Sequence, residues 1–129
     1  IAAAGLAADV INLGRVPESA LAALYQRASV FLFPSLCESF GFPMVEALGY
    51  GLPIVAADTA INRELCADAA LYYPPSDALA AAAAADSVLG SGAERCRLAA
   101  AAAHQFPRSH LAWGEYARRF TAILHEAAK

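Results

Sequence analysis

Two short runs of this sequence are apolar from end to end. One is Val30-Phe-Leu-Phe33, bounded by Ser29 and Pro34; the other is Ile54-Val-Ala-Ala57, entered through Leu52-Pro53. A half-buried strand alternates apolar and polar residues, whereas an unbroken run is expected of a strand buried on both faces of a parallel sheet. Between the two, Pro43 opens a predicted helix through Met44, Val45, Ala47 and Leu48, which Gly49 and Gly51 close. Strand, helix and strand in that order form a crossover unit. Parallel neighbours require such a unit, so the chain is restricted to a layered α/β architecture.

The rest of the sequence extends the pattern. Val10-Ile-Asn-Leu13, stopped by Gly14, predicts an earlier buried strand. Pro17, Glu18 and Ser19 suit a helix start, and Leu21, Leu24, Tyr25 and Ala28 mark the face that helix should bury. Residues 62–66 form a candidate short helix and residues 69–73 a fourth strand, ending at Pro74-Pro75. Asp77 is placed to cap a long alanine helix that ends near Gly90. A further helix is expected over residues 93–104, and a last one over residues 109–127 with Trp113, Tyr116, Phe120, Ile123 and Leu124 on one stripe. That stripe is either core or a patch that a second domain covers, and core is the first expectation.

Composition narrows the function classes. The hydrophobic fraction is 59%, but about a quarter of the 129 residues are alanine, the best helix former. No stretch approaches the roughly 20 apolar residues of a membrane-spanning helix. Nine basic residues are diluted by twelve acids and do not cluster with aromatics, so a nucleic-acid partner is not expected. Cys37, Cys66 and Cys96 lack the spacing of a zinc site, as do the three histidines, and are expected to be reduced thiols of a cytoplasmic protein. Cys37 has no nearby His to activate it as a nucleophile. The first residue is Ile rather than Met, as expected either of a chain whose start was removed or of a fragment of something longer.

The chemistry concentrates in Glu38-Ser-Phe-Gly-Phe-Pro-Met-Val-Glu46. This run follows a strand, and ligands of α/β folds sit at the carboxyl ends of strands. With Pro43 in the first turn, the amides of Ser39, Phe40, Gly41 and Phe42 have no intrahelical partner and lie at the positive end of the helix dipole. That is a seat for a phosphate or diphosphate. Gly41, without a Cβ, permits close approach to the backbone. Glu38 and Glu46 flank the seat. A carboxylate accepts two hydrogen bonds side by side, which matches the vicinal diol of a ribose or hexose. Taken singly, each acid reads more readily as an ordinary surface residue near a helix start.

The longer run from Phe33 to Ala57 resembles the signature of the retaining glycosyltransferases of group 1, also called family 4, which have the GT-B fold. Leu13-Gly-Arg-Val16, Leu21-Ala-Ala-Leu-Tyr25 and Ala28-Ser-Val30 resemble the family's preceding strand and helix. Arg63-Glu-Leu and Ala67-Asp-Ala-Ala-Leu-Tyr-Tyr-Pro74 resemble the segment that follows. The resemblance is tight over residues 10–76 and loose over the final helices.

It implies a Rossmann-like parallel sheet with flanking helices, an incomplete half of a GT-B domain. Residues 1–129 would be the later part of the C-terminal donor-binding domain, with the motif at 30–57 and C-terminal helices at 77–127. Glu38 would bind hydroxyls of the donor sugar near the reacting carbon. The amides of Ser39–Phe42 would bind that sugar and the diphosphate, and Glu46 the ribose. The donor would be a UDP- or GDP-linked sugar, with no metal and no other cofactor. The acceptor (a glycan, lipid or small molecule) would be held by an N-terminal domain. Attachment to the inner face of a membrane would come from that domain or from a partner.

Three departures stand out. Ser39 replaces a frequent Gly, and Thr59-Ala60 a frequent Gly-Gly. The Arg and Lys with which the family grips the diphosphate come from an earlier region, and only Arg15 and Arg27 precede the motif here. In the strand order 3-2-1-4-5-6, strands one and two belong beside residues 30–33, whose edge is therefore expected to lack a partner. The fragment alone is expected to be inactive. The alternative reading is a non-catalytic nucleotide- or sugar-binding module of the same fold; Arg63-Glu64 is either a donor-loop contact or a helix-start pair.

Overall fold

The computed structural model describes residues 3, 5–109 and 112–128. Its elements run in the order α1 (Glu18–Arg27), β1 (Phe31–Phe33), α2 (Phe42–Gly49), β2 (Ile54–Ala57), α3 (Ala60–Cys66), β3 (Ala70–Tyr73), α4 (Ala78–Gly90), α5 (Gly92–Ser109) and α6 (Trp113–Ala127). The three strands form one parallel sheet in the order β1-β2-β3. Phe31 pairs with Ile54 and Ile54 with Ala70, so all three carboxyl ends emerge along one edge.

Each face of the sheet has its own core. On one face Phe33, Ile54 and Ala56 pack with Tyr25 of α1, Met44 and Leu48 of α2, and Leu65 and Cys66 of α3. On the other, Val55, Ala57 and Tyr73 pack with Val88 of α4 and Leu98 of α5. This is the arrangement that unbroken apolar strands demand, and β2 in the middle is buried throughout.

Local signals account for the boundaries. Asp77 caps α4 by accepting from the Ala80 amide at 2.9 Å. Thr59 caps α3, its Oγ1 accepting from Asn62 N at 3.3 Å, and the buried Asn62 amide donates to Ala57 O at 2.8 Å. That bond ties the start of α3 to the end of β2. Arg95 donates to the carbonyls of Leu89 (2.7 Å) and Val88 (3.1 Å), closing α4. Gln105 Nε2 donates to Leu65 O at 2.8 Å, joining α5 to the end of α3.

Several expectations are corrected. Residues 10–13 form no strand: Ile11 is 78% exposed, and Asn12 Oδ1 instead accepts from Gly14 N at 2.9 Å in a local turn. Strand propensity needs a paired, packed neighbour, and this segment has none among the described residues. β1 is not buried on both faces. It lies at the sheet edge with β2 as its one strand partner among the described residues, and Leu32 is 48% exposed. The open edge itself is as expected.

On α1 only Tyr25 is buried; Leu24 and Ala28 are exposed. α5 runs past the expected end at residue 104, through Pro107, to Ser109, whose Oγ donates to Gln105 O at 3.1 Å. α6 begins at Trp113 rather than 109, and residues 110–111 lie outside the described residues. Its stripe is not core: α6 buries no residue, and Trp113 is 84% exposed. No helix among the described residues is long and apolar enough to cross a membrane.

Candidate active site at the carboxyl end of the first strand

The loop after β1 delivers the predicted residues to the carboxyl edge of the sheet. Glu38 is half-buried there, and Ser39 and Phe40 are exposed. Among the described residues neither the Glu38 carboxylate nor the amides of Ser39–Phe42 have a hydrogen-bond partner. The α2 start is therefore an open set of donors, as its capping pattern implied. The rings of Phe40 and Phe42 lie on either side of Gly41 in sequence and touch each other, with centroids 4.8 Å apart.

Gly41 caps α2 in the left-handed region, at φ 84° and ψ 43°. Its carbonyl accepts from Met44 N at 3.0 Å. A Cβ there would lie 2.7 Å from Met44 Cε and 2.8 Å from Leu65 Cδ1. The glycine is thus required by the backbone and by inward packing.

Glu46 lies one turn into α2, exposed and off the buried face formed by Met44, Val45, Ala47 and Leu48. It is not free. The phenol of Tyr25 lies 3.0 Å from Glu46 Oε2 and 3.3 Å from Pro43 O. Burial, and then the Glu46 carboxylate, raise Tyr25 above the ordinary phenol range, so it remains a proton donor. Periodicity identified Tyr25 as an inward-facing residue. It carried no signal for a partner 21 positions away.

The loop after β2 and the helix α3 that follows it supply a charged pair. Arg63 donates to Asp58, with Nη2 2.7 Å from Oδ2, and its guanidinium stacks 4.4 Å from the centre of the Tyr72 ring. That hydrogen bond holds the Asp58 carboxyl below the usual range. Arg63 therefore pairs with Asp58 rather than Glu64. Leu32, Pro34, Leu36 and Tyr73 line an apolar groove of about 390 Å³ against the alanines of α4, with Ser76 and Asp77 at the start of that helix. Glu38 and Glu46 do not line it. All three cysteines are free; Cys37 and Cys96 are exposed, and burial pushes the Cys66 thiol up to about 12. No three His, Cys, Asp or Glu side chains converge as a metal site among the described residues.

Residues 1–105 match the family described as Glycosyl transferases group 1. The chain belongs to this family. A group 1 chain built on a parallel sheet with flanking helices is part of a GT-B fold, and a solved structure agrees. Sucrose-phosphate synthase from Thermosynechococcus elongatus superimposes with a TM-score of 0.80 at 26% identity, over 97% of this chain and 32% of that one.

Among curated relatives, the Escherichia coli O-antigen chain mannosyltransferase B is 40% identical over 65 residues, covering 50% of this chain and 17% of the relative. The phosphatidyl-myo-inositol mannosyltransferase of Mycobacterium leprae is 34% identical over 109 residues, covering 82% of this chain and 29% of the relative. The chain thus spans less than a third of each of these proteins.

Proposed function

We propose that the chain is the donor-binding part of a retaining, metal-independent hexosyltransferase of family 4 that takes a nucleotide sugar. One observation carries the reading. Glu38, the unpartnered amides of Ser39–Phe42 and the Glu46 carboxylate follow one another across the carboxyl end of β1 and the start of α2. Acid, amides and acid match sugar, diphosphate and ribose in that order. The relatives named as mannosyltransferases favour a mannosyl donor, UDP- or GDP-linked.

The roles follow from charge. The helix start offers amide donors and a positive dipole end to a diphosphate that gains charge as it leaves. Glu38 accepts from hydroxyls of the transferred sugar and Glu46 from the ribose diol. The diphosphate departs with the bonding electron pair, and an acceptor hydroxyl forms the new bond on the same face and passes its proton to the departing diphosphate. The acceptor and the groups that clamp the diphosphate belong to other parts of such an enzyme. The 129 residues alone are expected to bind nucleotide without transferring sugar at an enzymatic rate.

Calorimetric or NMR titration with UDP and GDP tests this. One of the two is expected to bind, and Glu46→Ala is expected to weaken it about tenfold or more, the scale of lost hydrogen bonds to a charged acceptor. Glu38→Gln should leave the free nucleotide unaffected and weaken only the nucleotide sugar. Nucleotide binding indifferent to Glu46→Ala sinks the ribose role; no binding of either nucleotide sinks the donor-site reading.

A further inference from the structure

Tyr25 is buried, and its ring contacts two others. Tyr50 stacks on it at 5.3 Å with an interplanar angle of 11°, and Phe31 of β1 leans against it at 5.8 Å. A phenol has one proton to donate. Of the two acceptors in reach, Glu46 Oε2 at 3.0 Å is nearer than Pro43 O at 3.3 Å and belongs to a carboxyl group, the stronger acceptor of the two. Glu46 itself is an exposed side chain with rotatable bonds, and among the described residues this phenol is its one side-chain partner. The single side chain within hydrogen-bond reach of its carboxylate is therefore buried, aromatic, and carried by a different helix.

We propose that Tyr25 is a positioning residue for the nucleotide. Its hydroxyl occupies Glu46 Oε2, setting the rotamer and leaving Oε1 and the remaining lone pairs turned outward for a vicinal diol. The inference rests on the ribose role proposed for Glu46. It goes further in making recognition of the 2′- and 3′-hydroxyls depend on the packing of α1 against α2. A carboxylate already oriented before the ligand arrives loses less side-chain freedom on binding than one that must be ordered by it.

The test uses Tyr25→Phe, which keeps the stacked ring and removes only the hydroxyl. It is titrated with the nucleotide that binds, UDP or GDP, and with the 2′,3′-dideoxy form of that nucleotide. The expected result is an affinity for the ribonucleotide lowered about fivefold, unchanged affinity for the dideoxy form, and no further loss when Tyr25→Phe is added to Glu46→Ala. Equal weakening of both ligands, with a lowered melting temperature, identifies a packing defect and overturns the proposal. So does an unchanged ribo-to-dideoxy ratio in Tyr25→Phe when Glu46→Ala does change it, and in that case the ribose role of Glu46 survives. If Glu46→Ala leaves the ratio unchanged, the ribose role fails, and the positioning role fails with it.

Discussion

A methyl group added at position 41 would meet two buried side chains at once, Met44 Cε at 2.7 Å and Leu65 Cδ1 at 2.8 Å, on a backbone held at φ 84°. Both faults are internal to the fold. Gly41→Ala is therefore expected to destabilise the chain by about 2–3 kcal/mol, combining left-handed strain with overpacking, read as a lowered urea midpoint at unchanged slope. At this scale the sequence was legible in type and less so in partner. The start of α2, with Pro43 in its first turn, could be found because helix starts are local matters. The pairing of Tyr25 with Glu46, and of Arg63 with Asp58 and Tyr72, depends on how elements meet, and no spacing rule encodes that.

The elements divide in the same way. α4 begins where Asp77 promised, because a cap and its amide lie within one turn of each other. Asp77→Ala should cost about 1 kcal/mol, the usual value of such a cap, visible as a lower thermal midpoint with nucleotide affinity unaffected. α5 outran its expected end because tertiary contacts support its last turns. Gln105 holds the end of α3, and the Phe106 ring lies where a Cβ on Gly49 would touch it at 3.0 Å, so Pro107 is carried inside the helix. The strand expected at residues 10–13 failed for the converse reason. Its apolar run is real, but a strand exists only beside another strand, and this one has no strand neighbour among the described residues.

At the scale of the molecule, two apolar cores on opposite faces of a small parallel sheet follow from β2 alone, which is why the fold class was readable early. Those cores also hide acids that resist ionising. Burial pushes Cys66 from 9.0 up to about 12 and raises Tyr25 and Tyr72 as well. Above about pH 9 the unfolded chain releases protons that the folded chain keeps, so the unfolded state binds fewer and stability falls as pH rises. Urea midpoints measured from neutral to strongly alkaline pH should be level below about 9 and decline above it. Cys66→Ala should flatten that decline while lowering the plateau, since it also leaves a gap beside Met44 Sδ, 3.8 Å from the thiol.

The helix left outside both cores has a practical consequence. α6 lies beyond residues 1–105 that match the family, and it carries the chain's single tryptophan. An indole already in water emits at long wavelength and is reached by quenchers whether or not the sheet is intact. Tryptophan fluorescence is therefore blind to unfolding of the core, which must be followed through the buried tyrosines or the backbone. For the same reason, a blue shift in that emission reports directly that something has come to rest on α6.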